Sequence, residues 1–342
     1  MTLYEKVSGA SAEYLRRLPA KNLTPDTIAN YTNVLKCFCG FLREHEQADE
    51  FSAVAAWKTK LFEDGLAPSS IKQYLIDLQI FFTAAAHRSF PQDIRFDENP
   101  IDKTLMPKIP DRPYPTILTD EQVIKLYQNT PPQGFKQMWP RTYAILMILL
   151  NEKIRVSELT ELRLSDLDFR EHILVVRSGK GRKYREVDMT ELTELAVTAY
   201  LDSGIRPDYL SDDDYLFGNT SARERGNIAS RTGAERWHEF SPCGVSAAVE
   251  RVVEAITGES HVRAHDLRKI GSRVCLNAGQ SIEMLQGQLG HSQISTTQIY
   301  TSRMGSKRNR DSARAVLAAR DAVAEQLKKQ NSPEQQIIAF PA

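Results

Sequence analysis

Apolar residues recur along this chain at spacings of three and four, the period of helices with one buried face. Two stretches near the start share a further motif. Residues 23–31 read Leu-Thr-Pro-Asp-Thr-Ile-Ala-Asn-Tyr, and residues 66–74 read Leu-Ala-Pro-Ser-Ser-Ile-Lys-Gln-Tyr. Each puts proline where a first helical turn tolerates its missing N–H. Thr24 is placed to cap the first of these helices. Ile28, Tyr31, Leu35, Phe38 and Leu42 then line one face of it, as Ile71, Leu75, Leu78 and Phe82 line the second. The pattern predicts two helical hairpins in a small all-α domain.

Residues 99–115 contain Pro100, Pro107, Pro110, Pro113 and Pro115 and predict an extended linker. Thr119-Asp120-Glu121-Gln122 is a capping-box pattern that restarts helical structure, so a domain boundary is expected near residue 112. Beyond it, residues 141–150 predict a buried helix. Residues 173–177 and 183–189 predict a β-hairpin whose tip, Gly179-Lys180-Gly181-Arg182, is basic. Helical periodicity follows over 190–201, 245–257, 266–278 and Ile282–Leu289. Residues 219–240 are polar, with Arg223, Arg225, Arg231 and Arg236, and read as a long loop or inserted flap. A last helix is expected over 311–329, striped by Ala313, Val316, Leu317, Ala319, Val323 and Leu327, before a flexible tail. Amphipathicity alone lets that stripe pack on its own domain or on a neighbour. The fold class is mainly α with a small antiparallel β-sheet.

The 342 residues, 41% hydrophobic and 26% charged, fit about two ordinary globular domains. Basic and acidic residues balance at 44 each, so a bulk positive field is missing; a local basic face could still bind nucleic acid. Cys37, Cys39, Cys243 and Cys275 form no CxxC pair, which argues against zinc and for a reducing cytoplasm. The apolar run 144–150 is too short for a bilayer, and the first residues lack the pattern of a secretory leader. No membrane association is expected.

Four separated segments hold unusual polar residues: Lys153-Ile-Arg155-Val-Ser-Glu158-Leu; the hairpin tip with Lys180; His265-Asp-Leu-Arg268; and Leu289-Gly-His291-Ser, followed by Thr296-Thr-Gln-Ile-Tyr300-Thr. His265 and Arg268 fall one helical turn apart on one face. Singly, each segment has a plain reading: an i,i+3 ion pair for Arg155 and Glu158, a solvated turn lysine, a capping histidine, a half-buried tyrosine.

Together, and in this order, they resemble the tyrosine recombinase (phage integrase) family, whose pattern is Arg…Lys…His-x-x-Arg…His or Trp…Tyr. Arg155, Lys180, His265, Arg268, His291 and Tyr300 match it position by position. The resemblance spans residues 119–303, and the helical N-terminal region resembles the family's DNA-clamping domain. Glu152-Lys153-Ile154 stands where Thr-Gly-Leu is frequent, and Lys269 where histidine is frequent.

The resemblance implies a core-binding, SAM-like domain over 1–112, a catalytic domain over 113–310, and a helix and tail over 311–342 that contact a neighbouring protomer. It implies a two-domain C-shaped clamp around duplex DNA. The chemistry suits the residues. A phosphodiester repels nucleophiles, and two guanidiniums, Arg155 and Arg268, can hold its oxygens as charge builds. Tyr300 would form a 3′-phosphotyrosyl bond that stores the bond energy. Lys180 would protonate the leaving 5′-oxygen, and an imidazole of His265 or His291 would take the tyrosine proton or bond the phosphate. Glu158 would orient its neighbours. No metal, cofactor or ATP is expected. Arg182, Lys183, Arg223, Arg225, Arg303 and Lys307 are candidate DNA contacts. The implied partners are double-stranded DNA with inverted-repeat sites, three further copies in a tetramer on DNA, and accessory DNA-bending proteins, in the cytoplasm at the nucleoid. Two alternatives use related surfaces: relaxation of supercoils in the manner of a type IB topoisomerase, and a catalytically silent DNA-binding regulator.

Overall fold

The structure, a computed structural model, describes residues 1–109, 117–177, 184–220, 237–290 and 307–331. The chain divides into two units, Met1–Arg112 and Pro113–Ala342. Among the described residues no helix is long and apolar enough to cross a membrane.

The first unit is built from α1 (Leu3–Arg17), α2 (Pro25–Glu44), α3 (Glu50–Glu63) and α4 (Pro68–Ala85). Thr24 caps α2 by accepting the Thr27 N–H at 3.3 Å, whereas Ala67, at the same place before α4, has no side-chain acceptor to offer. The two related stretches therefore share the proline start and not the cap. Leu35, Phe38 and Leu42 are buried, as are Ile71, Leu75, Leu78 and Phe82; Ile28 and Tyr31 pack at the edge. Aromatic edges and faces fill the centre, with Phe38 and Trp57 centroids 5.1 Å apart and Tyr14 and Phe81 at 5.5 Å.

The expected linker over 99–115 begins too early. Asn99 bonds the Gln79 carbonyl and the Thr83 hydroxyl, and Gln79 donates to the Ile101 carbonyl at 3.0 Å. Ile101 is buried, and Leu105 and Met106 pack against the same core. Prolines stiffen this segment without freeing it from the unit.

In the second unit, α5 (Asp120–Tyr127) starts at the expected capping box, with the Thr119 and Gln122 side chains each bonded to the other's backbone N–H. α6 (Trp139–Met147) runs into a π-helical turn, Ile148–Glu152, whose five residues are all buried. Lys153, at φ 57°, ends that turn, and α7 (Val156–Glu161) follows. β1 (Leu167–Asp168), β2 (Ile173–Val176) and β3 (Arg185–Asp188) form an antiparallel sheet in that order, with Val176 opposite Arg185. β1 is an addition to the expected hairpin. After α8 (Glu191–Asp202), the polar stretch read as a loop has paired ends. β4 (Gly218–Thr220) and β5 (Trp237–Glu239) run antiparallel, Thr220 opposite Trp237.

α9 (Pro242–Thr257), α10 (Ala264–Ala278), α11 (Ile282–Leu289) and α12 (Lys307–Asn331) complete the unit. α10 lies directly on the π-helical turn. A Cβ on Gly271 would stand 1.9 Å from the Leu150 carbonyl oxygen, so only glycine permits this approach. α12 packs on α5, α8 and α10. Val316 and Ala324 belong to the main core, and Leu317, Val323 and Leu327 pack against it. Ser312 donates to Asp120 of α5, and Lys328 pairs with Glu191 of α8. The stripe expected to dock on a neighbouring protomer is thus covered within its own chain. The physical reason is that its apolar residues join the core that α5, α8 and α10 share.

Candidate active site

Glu158 is the centre of the described site. It is the third residue of α7, and only 3% of its side chain is exposed. One oxygen accepts the Arg155 backbone N–H and the other the Arg155 guanidinium, each at 2.7 Å. The second contact is the i,i+3 pair the spacing predicts. Arg185 of β3 adds a two-pronged contact to the same carboxylate, at 2.9 and 2.7 Å. Arg268 comes within 4.0 Å. Burial pushes the Glu158 carboxyl up, but bonds from Arg185 and from Arg155 outweigh it and hold the group below the usual carboxylate range. A permanent anion therefore sets the positions of three guanidiniums.

Those guanidiniums differ in access. Arg155 keeps 37% of its side chain open to solvent. Arg268, on α10, keeps 1%; it donates to the backbone carbonyls of Lys153 and Leu289, the latter at 2.8 Å. It therefore ties the turn before Arg155 to the end of α11. Arg185 makes a parallel tie, donating to the Gln288 carbonyl at 3.0 Å. Gly290, at φ 61°, leaves room for it: a Cβ there would stand 3.1 Å from the Arg185 Nη1. Both ties end just before His291.

His265 lies on the first turn of α10, accessible to solvent. Partial burial of its ring, then Lys269, Arg268 and Arg155, lower its pKa below the ordinary 6.5, against an opposing pull from Asp266. These influences favour the neutral imidazole, the form able to accept a proton. Lys269, where the family often has histidine, is 2.9 Å from Asp266, which also accepts the Arg263 N–H at the start of α10.

The structure therefore brings Arg155, Glu158, His265 and Arg268 together. Lys180, Arg182, Lys183, Arg223, Arg225, His291, Tyr300 and Arg303 lie outside the described residues; Lys307 begins α12. Arg185 was missed by sequence reasoning. Its signal was alternation: Arg185 and Val187 share one face of β3, and Val187 is buried, so an arginine points inward.

Residues 116–306 match the phage integrase family. The tyrosine recombinase XerC of Oceanobacillus iheyensis is 32% identical over 292 residues, 82% of this chain and 87% of that protein. The tyrosine recombinase XerA of Thermococcus onnurineus is 28% identical over 299 residues, 87% of this chain and 92% of that protein. The XerH site-specific recombinase, solved with palindromic difH substrate in a post-cleavage complex, has the same fold. Its TM-score is 0.64 at 18% identity, over 87% of this chain and 82% of that one.

Proposed function

Since the chain belongs to the phage integrase family of tyrosine recombinases, we propose that it cuts and rejoins DNA at specific sites through a 3′-phosphotyrosyl intermediate. The observation that carries this reading is the convergence of Arg155, Arg185 and Arg268 on one buried carboxylate, beside a neutral His265.

Tyr300 Oη attacks the scissile phosphorus and loses its proton to an imidazole, His265 or His291. The bond to the 5′-oxygen breaks, and Lys180 gives that oxygen a proton. The 5′-hydroxyl of a partner strand then attacks the phosphotyrosine and restores tyrosine. One such exchange yields a Holliday junction, and a second resolves it. Arg155, the more open guanidinium, receives the phosphate oxygens. Arg268 supplies fixed positive charge from beneath, and fixed charge needs no reorganisation as the transition state forms.

The unit of residues 1–112 and the catalytic unit each grip the duplex. Arg182, Lys183, Arg223, Arg225, Arg303 and Lys307 neutralise phosphates. Strand exchange needs four cuts, hence four protomers on paired inverted-repeat sites, with bending proteins as accessories.

The test is a nicked target that traps the intermediate. Incubation and denaturing electrophoresis should give a covalent protein–DNA band, absent for Tyr300→Phe although that variant still binds. A band retained by Tyr300→Phe would identify a different nucleophile. Lys180→Ala should lose cleavage and regain it when sulfur replaces the 5′ leaving oxygen, because a thiolate leaves without an acid. Failure of that rescue would remove Lys180 from the role.

A further inference from the structure

Glu152 occupies the turn before Arg155, where the family often carries threonine, and nothing above gives it work. It is 1% exposed and held on three sides. One carboxylate oxygen accepts the Thr190 backbone N–H at 2.9 Å and the Thr190 hydroxyl at 3.2 Å. The other accepts the Thr193 hydroxyl at 3.0 Å. Thr193 in turn accepts from Asn151 at 3.2 Å, and Asn151 accepts the Tyr127 hydroxyl at 3.2 Å.

These bonds join two segments that both serve Glu158. Arg155 lies three residues after Glu152, and the Lys153 carbonyl between them is the acceptor for Arg268. Thr190 lies five residues after Arg185, just beyond the end of β3. Thr190 spends its hydroxyl on Glu152 and gives α8 no side-chain cap. We infer that Glu152 is a positioning residue for DNA cleavage: its ionised carboxylate bolts the turn leading to Arg155 to the segment that leaves β3, the strand whose first residue is Arg185, and so helps set the three-arginine geometry.

Ionisation matters for a geometric reason. A backbone N–H can only donate, so the oxygen facing Thr190 must accept. A proton on the other oxygen turns its acceptor into a donor and reverses the bond from Thr193; the Thr193 hydroxyl, which also accepts from Asn151 and lies 3.0 Å from the Thr190 hydroxyl, must then turn its own proton away from Glu152, and the network that holds the carboxyl reorganises. Burial pushes the Glu152 pKa up to about 7, against bonds from Thr190 and Thr193 and the charge of Lys153. Its charged and titratable surroundings are Lys153 on its own turn and Tyr127 of α5, a phenol whose own titration also feels Cys275 of α10 and Arg320 and Asp321 of α12. From the start of α8, the uncharged Thr190, just before the helix, and Thr193 donate to it.

The pKa is raised above its unfolded value of 4.5, so the stability this group adds is full below that value and lost as pH rises through about 7. Positioning runs the other way, because the carboxylate forms above about 7. One titration should therefore raise cleavage and lower stability together. A carboxylate that served packing alone would not raise cleavage.

The inference rests on the recombinase reading, and the experiment separates the two. Full-length wild type, Glu152→Gln and Thr193→Val are compared in single-turnover cleavage of a nicked target and in thermal unfolding, from about pH 6 to about pH 8.5, a range that brackets the raised value and lies above the ordinary one. Glu152→Gln, an uncharged isostere, should cleave roughly tenfold or more slowly at the alkaline end, as expected for a small misplacement of catalytic groups. It should lose the step near neutrality while its melting temperature there equals or exceeds that of wild type. Thr193→Val removes one donor to the carboxylate and should move the step to higher pH. Wild-type cleavage rates in Glu152→Gln would overturn the inference. So would slow cleavage with a lowered alkaline melting temperature, which makes the residue structural. An unmoved step in Thr193→Val would also overturn it. Absence of any adduct from the wild type would instead sink the recombinase reading, and positioning with it.

Discussion

Arg155 and Arg268 look alike in the sequence and are not alike in the fold. Arg155→Ala removes the guanidinium with access to phosphate and should slow cleavage by about 10²-fold or more, the scale of losing one preorganised donor. Target binding should change little, and single-turnover kinetics beside a binding assay would show the split. Arg268→Ala should also destabilise the unit, since it leaves buried carbonyls at Lys153 and Leu289 without their donor. With His265 as the proposed base, a second acid limb for cleavage is expected. Its pKa is lowered, so in Glu152→Gln, which lacks the step near neutrality, activity should hold as pH falls through the ordinary 6.5 and fail only below it; in wild type this loss should follow as a separate, lower step. Loss of His265-dependent cleavage above that pH would contradict a neutral imidazole. Spaced motifs made Arg155, Glu158, His265 and Arg268 legible, because chemistry fixes their residue types. Arg185 and Glu152 were obscure for the opposite reason. Their partners, Glu158 and Thr190, lie 27 and 38 residues away, and no local spacing reports such pairs.

The contact between α10 and the π-helical turn is the element-level counterpart of this. Gly271→Ala should raise intrinsic helix propensity, yet its methyl would collide with the Leu150 carbonyl. We expect a net loss of about 1–3 kcal/mol, the usual cost of overpacking, and slower cleavage, since α10 carries Arg268. Gly40→Ala in α2 is the matched control. Nothing lies within 4 Å of its new methyl, so a gain of up to about 1 kcal/mol is expected. Urea unfolding of both variants tests the contrast, and equal effects would remove the close-approach argument. Helices and the β2–β3 hairpin could be read from periodicity, β-branching and the glycine turn. β1 is two residues long, and β4 and β5 are polar and separated by residues 221–236, so no pattern announced their pairing. Prolines near residue 100 hid a segment that packs through Ile101, Leu105 and Met106.

At the scale of the molecule, zero net charge does not remove electrostatics from DNA binding. Affinity should fall steeply with salt, because each phosphate contact releases counterions whatever the distant acidic residues do. A shallow dependence measured by titration would contradict a phosphate-tracking surface. Removing residues 311–342 should do more than abolish pairing between protomers. Val316 and Ala324 are part of the core, so the truncated chain should melt at lower temperature and expose the faces of α5, α8 and α10. A truncation with unchanged melting temperature would show that the seat contributes nothing. The seat of α12 also cannot distinguish whose helix fills it. Swapping helices around a ring of protomers would empty each seat and refill it with an identical segment, leaving the total of buried contacts unchanged. Contact energy then favours neither arrangement. The balance falls to effective concentration, which a tether sets within one chain and a shared DNA site sets between chains. Assembly on DNA would become a contest of proximities, and dilution alone would return every helix to its own chain.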